Sequence, residues 1–467
     1  MLSAAHRVVL RLGVDNRPGK FAEVARVIGE QGGSLGVIDL VEATPTVHVR
    51  DVSVDMPDEA SAARLAMALK RLEGIDVRDV SDAAFKLHEG GKVEMRGRIT
   101  VRSKEELSLV YTPAVARVSS AIAADPSKAW TLTMRGNTVA IVSNGSAVLG
   151  LGDIGPLGAL PVMEGKALLF RDLAGISAFP LVLDARTAEE IIETVVHLAP
   201  TFGGINLEDI AAPACFEVER ELRRRLDIPV FHDDQHGTAI VVLAALRNAA
   251  AVVGLGLEEL RVVVLGAGAA GIATGRVLHR AGVREVTLVD RHGVIGPART
   301  DLAPEKKAVL GELGTKRDGT LAEALAGAHA FIGLSGPGLL SLGDLRKMGR
   351  PRIVFALANP VPEVDPYLAG PEVDIMATGR SDHPNQVNNV LAFPGVFRGL
   401  LDARATTVTD DVELAAAEAL AATVTPELRA LEHILPSPFD PQVVPAVARA
   451  VAESVRASGH TRDSAQP

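Results

Sequence analysis

The sequence predicts an α/β protein of several domains, with a βαββαβ block at the front and a doubly wound parallel sheet towards the end. Three observations carry that prediction. At 467 residues the chain is too long for one ordinary core. Its first 80 residues or so alternate strand and helix patterns in a self-contained order. From about residue 226 apolar strands and helices alternate again, and "RVVVLGAGAAGIATGRVL" reads as a strand, a tight glycine turn and a helix.

The first block opens with the strand-like "RVVLRLGV" and the turn "DNRPG". In "KFAEVARVIGEQGG", Phe21, Val24, Ala25 and Ile28 share one helical face, and Gly32 and Gly33 supply the stop. Two β-rich runs follow, "SLGVIDLVEA" and "TVHVRDVSVDM". A second helix is marked by Ala62, Leu65, Ala66, Leu69 and Leu72, and a last strand by "IDVRDV". This order is the ferredoxin-like one, with two helices on one face of an antiparallel sheet. The charged, glycine-containing segment from Phe85 to Gly97 reads as a linker. We therefore expect domains at 1–85, 86–225 and 226–455, followed by a disordered tail at 456–467.

Composition narrows the function. A formal charge of −10 disfavours a nucleic-acid or anionic-membrane partner, which would call for clustered Lys and Arg. The single cysteine, Cys215, rules out an intramolecular disulfide and suits a reducing compartment, so a cytoplasmic location is expected. No secretory signal is read at the N-terminus. The greasiest run, "TAIVVLAALRNAAAVVGLGL", is broken by Arg247 and Asn248 and reads as a buried helix, not a membrane span.

In the glycine turn, Gly266, Gly268 and Gly271 fall at the G-x-G-x-x-G spacing, with Ala267, Ala269 and Ala270 between them. Between a strand and a helix, this turn lets the backbone approach a pyrophosphate at the helix N-terminus, so a dinucleotide is expected here. The next strand, "EVTLVD", ends at Asp290. A carboxylate there can accept ribose hydroxyls and would repel a 2′-phosphate, favouring NAD over NADP; the neighbouring Arg291 and His292 could instead accommodate the phosphate. Two acidic pairs, Glu208–Asp209 in "GGINLEDI" and Asp233–Asp234 in "PVFHDDQHGTAIVVL", stand in apolar frames. Buried carboxylates need a partner, and oxygen ligands of this kind suit Mg²⁺ or Mn²⁺. Helix-capping acids explain isolated pairs equally well.

Taken together, "LSLVYTPAVA", "SNGSAVLGLGDIGPLGALPVMEGKALLF", "GGINLEDIAAPACFEVE", "VFHDDQHGTA", "VLGAGAAGIA", "FALANP" and "ATGRSDHPNQVNNVLAFPGVFRG" resemble the malic enzymes of the shorter bacterial type, over residues 86–455. The resemblance implies a substrate domain followed by a Rossmann-like NAD-binding domain. It also implies oxidative decarboxylation of (S)-malate to pyruvate and CO₂ with reduction of NAD⁺. Glu208, Asp209 and Asp234 would be the metal ligands, and Asp233 a neighbour that tunes an active-site group. Lys166 of "MEGKALLF" matches the general base and Tyr111 of "YTPAVA" the general acid. Asn359 and Asn389 match asparagines that contact substrate or the nicotinamide ribose, with Asn388 as the competing neighbour.

Two positions depart from the family pattern. Ala147 stands where larger malic enzymes carry an arginine, which leaves the partner of the second malate carboxylate open. Ala114 replaces a commoner glycine, and should matter only if the loop needs a positive φ. Use of NADP, or decarboxylation without net cofactor turnover, are the alternative activities. The D-x-x-P-G turn into a helix at "DNRPGKFAEVARVIGEQGGSLG" resembles an ACT domain, which implies a small-molecule effector for the first block. A dimerisation domain that binds nothing is the competing reading, and a non-catalytic ACT-linked sensor is the reading from another class. A homodimer or higher homo-oligomer is expected.

Overall fold

The computed structural model describes residues 6–148 and 150–462, and the chain divides into two compact units, Met1–Glu94 and Met95–Pro467. The division falls inside the segment expected as a linker, whose start is helical.

In the first unit, β1 (Arg7–Asp15), α1 (Lys20–Glu30), β2 (Ser34–Ala43), β3 (Val47–Asp55), α2 (Glu59–Leu69) and β4 (Ile75–Asp82) are followed by the short α3 (Ala83–His88). The sheet runs β2-β3-β1-β4 with antiparallel pairing throughout. Period-two alternation in β1 sends Val8, Leu10, Leu12 and Val14 into a core with Val24, Val27 and Ile28 of α1 and Leu65 and Leu69 of α2. Helix α2 starts where Asp58 accepts the Ser61 N–H at 2.6 Å, and α1 stops before Gly32, which takes φ +77°. Edge strand β2 is exposed along its whole length.

The second unit begins with α4 (Lys104–Val110), α5 (Val115–Ala124) and α6 (Ala129–Leu132). A four-stranded sheet follows, built from β5 (Thr138–Ser143), α7 (Gly155–Ala174), β6 (Ser177–Val182), α8 (Ala188–Leu198), β7 (Gly204–Leu207), α9 (Ala214–Arg225) and β8 (Val230–His232). Its order is β6-β5-β7-β8, all parallel. The boundary drawn at 226 therefore cuts this sheet, because β8 pairs with β7. A π-helical turn, Asp233–Gly237, then leads into α10 (Thr238–Val252), which is buried on most sides, as its apolar run requires.

The second sheet of this unit contains β9 (Arg261–Leu265), α11 (Ala269–Arg280), β10 (Glu285–Asp290), β11 (Gly293–Val294), α12 (Pro304–Leu313), α13 (Leu321–Leu325), β12 (Ala330–Gly333), α14 (Leu342–Lys347), β13 (Ile353–Ala356), α15 (Pro366–Ala369) and β14 (Ile375–Thr378). The order is β11-β10-β9-β12-β13-β14, parallel except for β11. It is a doubly wound sheet that reverses direction beside β9. Helices α16 (Phe393–Asp402), α17 (Asp410–Ala422) and α18 (Val443–Ala457) pack with α7 and α10 into one apolar core. The tail expected from 456 is ordered in its first part, since α18 reaches Ala457 and the Thr406 N–H donates to the His460 carbonyl at 2.9 Å. Residues 463–467 lie outside the described residues.

Candidate active site

In open parallel sheets, ligands bind beyond the carboxyl ends of the strands where the strand order reverses. In the first sheet of the second unit that point lies between β5 and β7, and Glu208 and Asp209 follow directly on β7. Asp233 and Asp234 follow directly on β8 next door. The two acidic pairs that are about two dozen residues apart in sequence therefore meet at one sheet edge. Carboxylate oxygens of Glu208, Asp209 and Asp234 lie within 4.8 Å of one another.

Asp209 reaches this place with a left-handed backbone, φ +52°, and its N–H donates to Asp234 Oδ2 at 2.8 Å. Its carbonyl accepts the Ala147 N–H at 3.0 Å, so Ala147 serves the site through its backbone and offers no cation. Burial first, and then the nearby Asp234 charge, push the Asp209 carboxyl up to about 7. Burial likewise raises Glu208 well above the ordinary range, against the pull of Lys166. Asp209 Oδ2 and Asp233 Oδ1 are buried and accept no hydrogen bond from the protein. Three crowded carboxylates with an orphaned oxygen are what a hard divalent cation would satisfy, so the donor set fits Mg²⁺ or Mn²⁺.

Lys166 projects from the middle of α7 and is 8% exposed. Its Nζ donates to Asp233 Oδ2 at 2.5 Å and to Glu208 Oε2, and stands 4.6 Å over the Phe393 ring. Burial alone would lower its pKa, but Asp233 and Glu208 outweigh burial and hold it above the usual lysine value. The lysine is thus an ion-pair partner of Glu208 and Asp233 in this structure.

Asp233 is packed so closely that a Cβ on Gly237 would fall 2.0 Å from its Oδ1, so only glycine fits at that turn. The Asn389 amide donates to the Asp233 carbonyl at 3.2 Å and to its Oδ2 at 3.1 Å. Asn388 instead caps its own short helix through the Val390 N–H at 2.9 Å. Of the pair, Asn389 is the one turned to the site, and its contact here is Asp233. Asn359 follows β13 and is exposed, and its carbonyl would meet a Cβ on Gly150 at 2.3 Å.

The glycine turn lies between β9 and α11 at the reversal point of the second sheet. Gly266 takes φ +113°, and a Cβ there would be 2.3 Å from the Leu334 carbonyl oxygen. Nothing lies within 4 Å of a Cβ built on Gly268, so that backbone is open to a ligand, with Ala267, Ala269, Ala270 and Gly271 completing the turn. Asp290 ends β10, but its carboxylate is already engaged by Arg299 at 3.0 and 3.2 Å, Lys306 at 2.6 Å and the His292 N–H at 2.9 Å. Burial would raise this carboxyl, and Arg299 and Lys306 hold it well below the ordinary range. The repulsion expected toward a 2′-phosphate is therefore offset by two cations that sequence spacing did not reveal. Arg291 and His292 lie exposed beside it, 3.1 Å apart.

Tyr111 is not brought to Lys166. It is 66% exposed on the turn between α4 and α5 and makes no side-chain hydrogen bond among the described residues. Ala114, in the same turn, has φ −69°, so glycine would gain nothing there. Two buried residues were missed in the sequence. Asn206 donates to Glu208 Oε2 at 2.9 Å from β7. Glu363 ties the loops after β12 and β13 by accepting the Ser335 N–H at 3.0 Å and the Ala358 N–H at 3.1 Å. For Asn206 the only signal in the sequence was a polar residue inside an apolar strand, and Glu363, in the loop after β13, gave none.

A buried lysine among carboxylates, together with a glycine turn of dinucleotide-binding form between β9 and α11, points to the class of NAD-linked oxidoreductases. The comparisons with known proteins agree. The family "Malic enzyme, N-terminal domain" matches residues 91–223 and "Malic enzyme, NAD binding domain" matches residues 235–458. An NAD-dependent malic enzyme of Geobacillus stearothermophilus is 50% identical, with 98% of this chain and 96% of that protein covered. A bifunctional malic/malolactic enzyme of Bacillus subtilis is 46% identical over 83% of this chain and 95% of its own length. Among solved structures, a malic enzyme from Pyrococcus horikoshii superposes with TM-score 0.78 at 46% identity, covering 82% of this chain and 92% of that one. An NAD-dependent malic enzyme from Thermotoga maritima gives 0.76 at 47%, covering 80% and 99%. This chain belongs to the malic enzyme family.

Proposed function

We propose that the protein is an NAD-dependent malic enzyme that converts (S)-malate to pyruvate and CO₂. The observation that carries this reading is the contact of buried Lys166 with Glu208 and Asp233 beside a three-carboxylate cluster. Glu208, Asp209 and Asp234 would hold Mg²⁺ or Mn²⁺, and the Gly266–Gly271 turn would hold the NAD pyrophosphate. When bound, the metal supplies positive charge that polarises the malate hydroxyl and relieves the field on Lys166, and NAD supplies the hydride acceptor. With the carboxylate field so relieved, Lys166 Nζ as the free amine takes the hydroxyl proton, and Asp233, fixed by Asn389, orients the ammonium that results. The Tyr111 phenol returns a proton to the carbon that has lost CO₂. The test is pyruvate and NADH formation from (S)-malate by wild type and Lys166→Ala.

The bifunctional relative favours one second reading, conversion of malate to lactate with the cofactor retained. Lactate without net NADH would identify it.

A homodimer supports the role of Tyr111. By length and composition alone, the 104–124 stretch passes for a membrane span, but the turn at 111–114 interrupts it. Leu107, Leu109, Val110 and Val118 are all exposed on it, apolar surface suited to a second copy of this chain, which would enclose the phenol. The first unit, with its βαββαβ order, we read as a ferredoxin-like, ACT-like regulatory domain that binds a small carboxylate-bearing effector near the Asp15–Gly19 turn. The protein's single cysteine, Cys215 of the second unit, is a buried free thiol and suits a cytoplasmic enzyme.

A further inference from the structure

Four carboxylates crowd the cluster that follows β7 and β8, and their mutual repulsion works to push the Asp233–Asp234 turn away. Something must hold that turn from behind. The group in that place is Glu219 of α9, buried at 7% exposure and outside the set of ligands and proton carriers described above.

Its carboxylate gathers donors from both sides of the acidic pair. Glu219 Oε1 accepts the His232 N–H at 3.2 Å, just before Asp233. Just after Asp234, Oε2 accepts the Gln235 amide at 3.1 Å, and Oε1 lies 2.8 Å from His236 Nε2. Arg223, one turn along α9, braces the same oxygen at 2.8 Å and also donates to the Val230 carbonyl of β8 at 3.1 Å. On the far side of its ring, His236 Nδ1 forms a close ion pair with Glu413 of α17 at 2.7 Å. An apolar residue at 219 would be cheaper to bury than a carboxylate with this network. What the carboxylate supplies, and an apolar side chain cannot, is a fixed position for residues 232, 235 and 236, and through them for the two acids between.

We propose that Glu219 is a positioning residue for the metal carboxylates, clamping the Asp233–Asp234 turn by both ends so that Asp234 meets Glu208 and Asp209. This rests on the reading that those three residues hold the metal. Outer-shell partners of this kind commonly change metal affinity by about 10–100-fold.

The experiment is Glu219→Gln in the full-length protein, an isosteric change that keeps one acceptor and removes the charge. Mn²⁺ binding is titrated by the electron-spin resonance of free Mn²⁺, and NADH binding by its fluorescence. The expected result is an Mn²⁺ Kd raised by about tenfold or more, with NADH affinity unchanged. An unchanged Mn²⁺ Kd overturns the proposal. So does a parallel loss of Mn²⁺ and NADH affinity, the mark of general loosening. Should Glu219→Gln not fold, His236→Gln removes one of the clamped groups and is expected to give a smaller rise in Mn²⁺ Kd with the same NADH control. Asp234→Asn in the same titration separates the two failures. If it binds Mn²⁺ like wild type, the ligand assignment falls and the clamp with it, whereas loss there without loss in Glu219→Gln overturns the clamp alone.

Discussion

Lys166 sits 8% exposed among carboxylates on a helix in the middle of the core, while Tyr111 sits 66% exposed on a turn between two helices whose apolar side chains face outward. Both residues are assigned to proton transfers of one reaction. The difference separates the half of the proposed chemistry that this chain encloses from the half that it leaves open to solvent. The lysine, its ion-pair partners and the three metal-ligand candidates are all placed by β7, β8 and α7 of the same unit. A phenol in water has no reason to protonate a substrate rather than exchange with solvent, so Tyr111 needs a covering surface.

The comparison breaks most readily at the lysine. Lys166→Ala is expected to cut turnover by about 10²–10⁴-fold with a smaller change in malate affinity, measured by steady-state kinetics. An equal fall in affinity alone would mean the lysine only binds. Next, Asp234→Asn should weaken Mn²⁺ binding more than Asp233→Asn does, since Asp233 spends its Oδ2 on Lys166 and Asn389. Calorimetric titration of Mn²⁺ checks that order. On the tyrosine side, Leu109→Asp should dissociate the proposed homodimer in analytical ultracentrifugation and lower the rate toward that of Tyr111→Phe. A fully active monomer would remove the need for a cover.

Protons and metal compete for the same oxygens. With the Asp209 carboxyl raised to about 7, the folded state holds its proton above the ordinary carboxylate range. Mn²⁺ must displace that proton, so affinity should fall as pH drops below about 7. The smallest expected effect is in cofactor choice. Asp290→Ala frees Arg299 and Lys306, and should shift the ratio of kcat/KM values toward NADP.

Much of this was legible in the sequence because period and glycine placement report backbone geometry directly. The alternation in β1, the helical face of α1 and the strand–turn–helix at Gly266 each follow from local rules. The two acidic pairs could be joined only by supposing a shared ligand, and the parallel order β5-β7-β8 is what brings their loops together. Charge partners were not legible. Arg299 and Lys306 reach Asp290 from 9 and 16 residues away, and Glu219 reaches His232 from α9, through tertiary packing that no periodicity encodes. The exposure of Tyr111 was hidden for the same reason, since a motif names a residue without saying what surrounds it.

The account stands on one reaction, and a single assay addresses it. NADH, pyruvate and CO₂ are followed from (S)-malate and NAD⁺ with the metal-stripped full-length protein, before and after Mn²⁺ is added. The account predicts no turnover without the ion, and equal amounts of NADH, pyruvate and CO₂ once it is present. Turnover that is indifferent to Mn²⁺, or NADH that appears with oxaloacetate and no CO₂, would contradict it.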